Sequence, residues 1–142
     1  MSTDHNKAMS RRALQLWGDG RAEDPGEILA EGYLNHQEPD AAGGVSTKDR
    51  DAYLELLAGY HAAFSGSTVR ILMQIAEDDL VASRWELSAT HTGDYLGLAP
   101  TNRVATWTGV QIDRHEGGKL VESWVDWDKY RLFATLGLIE QP

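Results

Sequence analysis

An ordered change of hydrophobic period constrains this chain most: helical spacing comes first, and strand alternation follows. Met9, Ala13, Leu16 and Trp17 recur at helical intervals and predict a first helix from about Lys7 to Gly18. Asp24-Pro25-Gly26 predicts a turn that starts a short second helix carrying Ile28 and Leu29. Tyr33-Leu34-Asn35-His36 reads as extended or irregular, and Gln37 to Ser46, rich in Gly, Asp and Ala, as a mobile loop. Ser46, three residues before Asp49, opens a third helix as a capping box would, with Tyr53, Leu57, Tyr60, His61 and Phe64 on its apolar face. From there the period becomes two. Val69, Ile71, Met73 and Ile75 alternate, and Leu80 to Thr90, Val104 to Arg114 and Lys119 to Asp128 follow as further strands. A short helix with Tyr130, Phe133 and Leu136 stops at Gly137. Helices before strands predict an α+β domain, a single one over residues 1–142. Its curved antiparallel sheet would wrap over three N-terminal helices as a cone around a small-molecule space.

Composition narrows the partners. A formal charge of −9 argues against nucleic acid, which demands clustered Lys and Arg, and against an anionic membrane surface. No cysteine is present, so disulfides, thiolate nucleophiles and Cys-based zinc sites are excluded. Met1 to Arg12 lacks the apolar run of a signal peptide, and no stretch approaches the ~20 apolar residues of a membrane span. A cytoplasmic location is the expectation.

Four ordered segments then become specific. Arg84-Trp85 followed by Ala89-Thr90-His91-Thr92-Gly93 resembles the "RW…GTHTG" strand of SnoaL-like proteins. Pro100-Thr101-Asn102-Arg103 resembles their "PTGR" loop, with Asn102 in place of the glycine. Gly118-Lys119-Leu120-Val121-Glu122 with Trp124 resembles "GKIVEHW", and Asp128 followed by Leu136-Gly137 resembles the "WD…LG" finish. The resemblance runs from about Arg84 to Gly137, more weakly back through Tyr60 to Phe64 and Asn35-His36. It implies a SnoaL-like polyketide cyclase or ester cyclase on the cone-shaped fold of the nuclear-transport-factor-2-like superfamily. It further implies a homodimer or higher homo-oligomer, a hydrophobic small-molecule substrate, and aldol cyclisation or isomerisation by an aspartate acid/base without a cofactor. That fold also hosts epoxide hydrolases, hydroxylase-like enzymes and binding modules, so fold alone does not fix function.

Proton abstraction between two carbonyls needs one carboxylate whose pKa is raised by an apolar setting. Asp128 is the candidate acid/base. By alternation Glu122, Trp124, Asp126 and Asp128 share one strand face, and Val121, Ser123, Val125 and Trp127 the other. The second face is the more apolar, which would turn the carboxylates to water; the resemblance favours Asp128 in the pocket, through a bend at the strand end. Asp126 is a second pocket candidate. Arg84 would hold a substrate carbonyl, or form a cross-sheet salt bridge to Glu122 or Asp113. Candidate substrate-binding groups are His36 at a pocket edge, His61 (or a satisfied core histidine), His91 (or a loop brace), Gln111, Trp107 and Trp124. The histidines show no ligand-like grouping, so no metal is expected. The apolar loop Tyr95 to Pro100 would cap the pocket or meet a second subunit.

Overall fold

The computed structural model describes residues 2–37 and 46–140. Helix α1 (Thr3–Gln15) is capped by Ser2, whose side chain accepts from the His5 N–H. Helix α2 (Arg50–Ala63) is capped by Asp49, which accepts from the Ala52 N–H at 2.9 Å. Ser46, expected as that cap, instead precedes a short strand. Helix α3 (Lys129–Leu136) ends the fold, closed by Gly137 in the left-handed conformation at φ 81. The expected second helix is only a 3-10 turn, Pro25–Glu27, after which Ile28 and Leu29 enter the sheet region with almost no exposure. Only two of the three helices therefore lie N-terminal to the main strands. The Gln37 to Ser46 loop falls largely outside the described residues.

Six strands build the sheet: β1 (Leu29–Gln37), β2 (Thr47–Asp49), β3 (Phe64–Glu77), β4 (Leu80–His91), β5 (Val104–Glu116) and β6 (Lys119–Trp127), in the order β2-β1-β6-β5-β4-β3. The expected four-strand antiparallel meander, β3 to β6, is present. Beyond it, β1 joins β6 in parallel, so the sheet is mixed. Tyr33-Leu34-Asn35-His36 lacks clean alternation because its inner face is part polar; pairing with β6 makes it a strand.

Register arranges the inner face in rows. Asn35, Ser123, Asp113 and Val81 lie abreast across β1, β6, β5 and β4; the next row holds Gln37, Val125, Gln111 and Ser83. Then come Trp127, Gly109, Trp85 and Ile71, followed by Trp107, Leu87 and Val69. The face thus grades from buried polar groups to aromatic rings along the strands. Gly109 is required in its row, because a Cβ there would meet Trp85 Cζ2 at 2.3 Å. One core cluster packs α1 and α2 against β1 and the start of β6; the other lines the aromatic rows and takes Leu132 and Leu136 from α3.

Candidate functional site

Between the sheet's inner face and the helices lies a cavity of about 710 Å³. That is within the usual range for small-molecule sites. Trp17, Tyr60, Phe64, Trp85, Trp107 and Trp127 supply much of its wall. The polar tips of Trp17 and Tyr60 are spent on the protein, whereas Trp85 Nε1 is buried with no hydrogen-bond partner among the described residues. Trp17 Nε1 donates to Tyr53 Oη at 2.8 Å, and Ser67 Oγ donates to the Trp17 carbonyl at 2.5 Å. Tyr60 Oη therefore donates to Ser67 Oγ, 2.6 Å away. Burial pushes the Tyr53 and Tyr60 phenols up, which keeps them as donors. Ring faces are what these residues offer a ligand, and flat apolar surface is what ring faces bind best.

Several polar groups interrupt the apolar wall, Gln37, Ser46 and Lys48 among them. At the border of the polar rows, Gln111 lies on the cavity surface with its Nε2 donating to Asp113 Oδ1 at 2.8 Å. At the entrance, Asp94, Leu96 and Leu56 are exposed wall residues, and Asp94 is the one carboxylate among the described lining residues. Lys129 lines the same cavity with its ammonium 5.5 Å from the Trp127 ring centroid and 6.0 Å from that of Phe133, within cation–π reach.

Asp128 does not meet the condition set for it. Its carboxylate is exposed, caps α3 by accepting from the Arg131 N–H at 2.9 Å, and is not on the cavity wall. The physical reason is parity. Ser123, Val125 and Trp127 turn inward, so Glu122, Trp124 and Asp126 turn outward, and no bend reverses this before the chain leaves the strand at Asp128. Trp124 and Asp126 are exposed on the outer face.

His36 is on that face too: its ring stacks on Trp124 at 5.6 Å and its Nε2 lies 2.7 Å from Glu122 Oε2. Bonding to His36, with help from Arg114, pulls the Glu122 carboxyl below its ordinary value. Arg84 is exposed on the outer face of β4, opposite Val110, whereas Asp113 is wholly buried inside, so the expected Arg84–Asp113 bridge is geometrically impossible. The partner cation of Glu122 is Arg114, at 3.2 Å.

His61 donates through Nε2 to the Leu16 carbonyl at 2.7 Å and ties α2 to α1. His91, fully buried, braces the following loop: its Nδ1 accepts from the Thr101 N–H at 3.2 Å, and its backbone bonds Asn102 and Arg103 at 2.9 Å each. Asn102 sits at φ 57, a left-handed position that Asn tolerates better than most side chains. Of the residues expected in the pocket, the structure brings together Trp107 and Gln111. Tyr95 and Leu96 of the apolar loop join them on the wall. Asp94, Lys129 and Phe64 were missed as site residues; strand parity turns Trp85, two residues from Leu87, to the inward face. No group of three or more His, Cys, Asp or Glu suited to a metal ion occurs among the described residues.

A curved sheet closed by helices around an aromatic-walled cavity defines a small-molecule pocket protein of the nuclear-transport-factor-2-like architecture. The chain belongs to the SnoaL-like polyketide cyclase family, whose model matches residues 7–136. Among solved structures it is similar to AclR from Streptomyces galilaeus, called a "putative hydroxylase", at TM-score 0.84 and 23% identity, covering 99% of this chain and 86% of that one. It is similar to IdmH from Streptomyces antibioticus, called a "putative polyketide cyclase", at TM-score 0.79 and 25% identity, covering 93% and 98%. A third, likewise called a "putative polyketide cyclase", is from Acidithiobacillus ferrooxidans, at TM-score 0.77 and 22% identity, covering 97% and 99%. Comparison with the curated proteins finds no match. No helix among the described residues is long and apolar enough to cross a membrane.

Proposed function

We propose that this chain is a cyclase- or isomerase-type enzyme that holds a flat, mostly apolar carbonyl compound in the cavity and moves a proton on it without a cofactor. The observation that carries the reading is the cavity of about 710 Å³, walled by four tryptophans, Tyr60 and Phe64 and bordered, among the described residues, by a single carboxylate. Abstraction beside a carbonyl needs a base and a place for the enolate charge. Asp94, exposed but on the cavity wall where Asp128 is not, takes the first role in this proposal and the Lys129 ammonium the second, while Asp128 serves as a helix cap. Aldol closure and double-bond migration differ only in where the enolate carbon goes next, so both suit these groups.

The test is hydrogen–deuterium exchange at the acidic carbon of β-tetralone, followed by NMR. The protein should accelerate exchange, Asp94→Asn should lower it by about 100-fold, and Asp128→Asn should leave it unchanged. Equal rates for wild type and Asp94→Asn would overturn the assignment; loss of exchange in Asp128→Asn would return the role to that residue. A non-catalytic binding module is the second reading, favoured by the absence of any acid among the inward residues of β6, Leu120, Ser123, Val125 and Trp127. Tight binding with no exchange would decide for it. Epoxide hydrolysis would need paired carboxylates and an arginine, and the described wall carries Asp94 alone and no arginine.

Self-association through the outer sheet face, and cytoplasmic residence, belong to the same proposal. Met73 and Ile75 are 56% and 63% exposed there, and Val110, Ile112 and Trp124 are exposed on neighbouring strands. Ile112→Lys combined with Val110→Lys is expected to convert a dimer into a monomer in sedimentation velocity. An unchanged sedimentation coefficient would place the interface elsewhere.

A further inference from the structure

Behind the cavity wall lies a buried polar cluster that the proposed reaction does not use. Asp113 has no exposure, and its carboxylate oxygens accept three hydrogen bonds. Ser123 Oγ donates to Oδ1 at 2.6 Å, Gln111 Nε2 to Oδ1 at 2.8 Å, and Ser10 Oγ to Oδ2 at 2.7 Å. Three donors around one carboxyl are the arrangement that suits an anion. Since the Ser10 proton is committed, Ser10 Oγ accepts from His115 Nε2, 2.9 Å away. The cluster therefore has one hydrogen-bond direction, and Gln111 is at its end.

That direction settles which end of the Gln111 amide meets the ligand. Turning the amide over would press Oε1 against a carboxylate oxygen, two acceptors with no proton between them. Gln111 is only 4% exposed and lines the cavity, and its Nε2 is turned to Asp113. The oxygen is then the end of the amide left to serve the cavity as an acceptor.

We infer that Asp113 is a positioning residue that holds the Gln111 oxygen toward the cavity, so that the pocket selects ligands bearing a hydroxyl or enol O–H over the matching ethers. The inference rests on the flat-ligand reading above and names the substrate class of that site. A ligand's ring body would lie against Trp85, Trp107 and Trp127 while its O–H donates to Gln111. An ether in the same place leaves two acceptors facing each other.

The experiment measures dissociation constants for β-naphthol and its methyl ether by quenching of tryptophan fluorescence. Wild type should prefer the naphthol by about tenfold, the effect of one hydrogen bond gained against one left unmade. Gln111→Leu should bind both about equally. Asp113→Val, which frees the amide to turn, should also lose the preference, and Asp113→Asn, which keeps an acceptor for Gln111 while Ser10 turns to accept, should restore it. A merely structural role would weaken both ligands together and leave the ratio alone. Should Asp113→Val not fold, Gln111→Leu decides. Equal binding of the two compounds by wild type overturns the inference but leaves the flat-ligand reading intact, whereas binding of neither overturns both.

Discussion

Replacing Gly93 with alanine is expected to cost about 3 kcal/mol of stability, a drop of about 10 °C in the midpoint of thermal unfolding. A Cβ at this position would stand 2.1 Å from the Ala62 carbonyl oxygen and 3.2 Å from the Ala63 Cα. Both are backbone atoms in the last turn of α2, so no rotamer change relieves the clash. The loop cannot simply lift away, because the Thr92 and Gly93 N–H groups both donate to the Ala63 carbonyl at 3.0 Å. Displacement would leave that carbonyl unpaired and carry Asp94, Tyr95 and Leu96 off the cavity wall, so ring-ligand affinity should fall together with stability. Gly59→Ala is the control. Nothing lies within 4 Å of a Cβ there, and within α2 alanine should gain about 0.5–1 kcal/mol. Calorimetry on the two variants separates close approach from ordinary glycine entropy; equal midpoints would show that the Gly93 contact is unimportant.

Acidification should produce the second large effect. Burial first, then the neighbouring charge of His5, pushes His115 from 6.5 down to about 4, against a smaller opposite pull from Asp79. Between those values the unfolded chain binds a proton that the folded chain refuses. The stabilisation is therefore complete above about 6.5 and drains as the pH falls toward 4, to a total of about 3 kcal/mol. Asp113 acts in the opposite sense. Burial raises its pKa above 3.8 despite bonds from Ser123, Ser10 and Gln111, so the folded protein takes up that proton earlier than the unfolded chain. His115→Gln isolates the histidine, since Asp113 remains in both proteins. Urea unfolding at neutral pH and at about pH 5 should show a steeper loss in wild type than in the variant. Parallel losses would remove His115 from the account.

The outcome at Asp128 shows where sequence reasoning ran short. Alternation along β6 separates Glu122, Trp124 and Asp126 from Ser123, Val125 and Trp127 correctly, because successive side chains on a strand must point to opposite faces. Which face met the cavity was also legible, in the greater apolarity of the second set. What misled was weighing a motif resemblance above that physics. Gln111 and Trp107 are inward residues of β5, consistent with the same alternation. The His91 brace was one of two readings open in the sequence, whereas the Gly93 contact had no local signal, since its partner is Ala62 in a helix.

The amino-acid order by itself determined the helices α1, α2 and α3 and the β3 to β6 meander, because these depend on spacing and turn residues within a few positions. The SnoaL-like kinship likewise rests on segments that can be read one at a time. Only the tertiary structure decided that β1 lies parallel to β6, that Asp94 and Lys129 reach one cavity, and that Ser10, Asp113, Ser123 and Gln111 share one network. Those groups come from separate elements, and their meeting depends on how sheet and helices pack, a long-range property that no local pattern encodes.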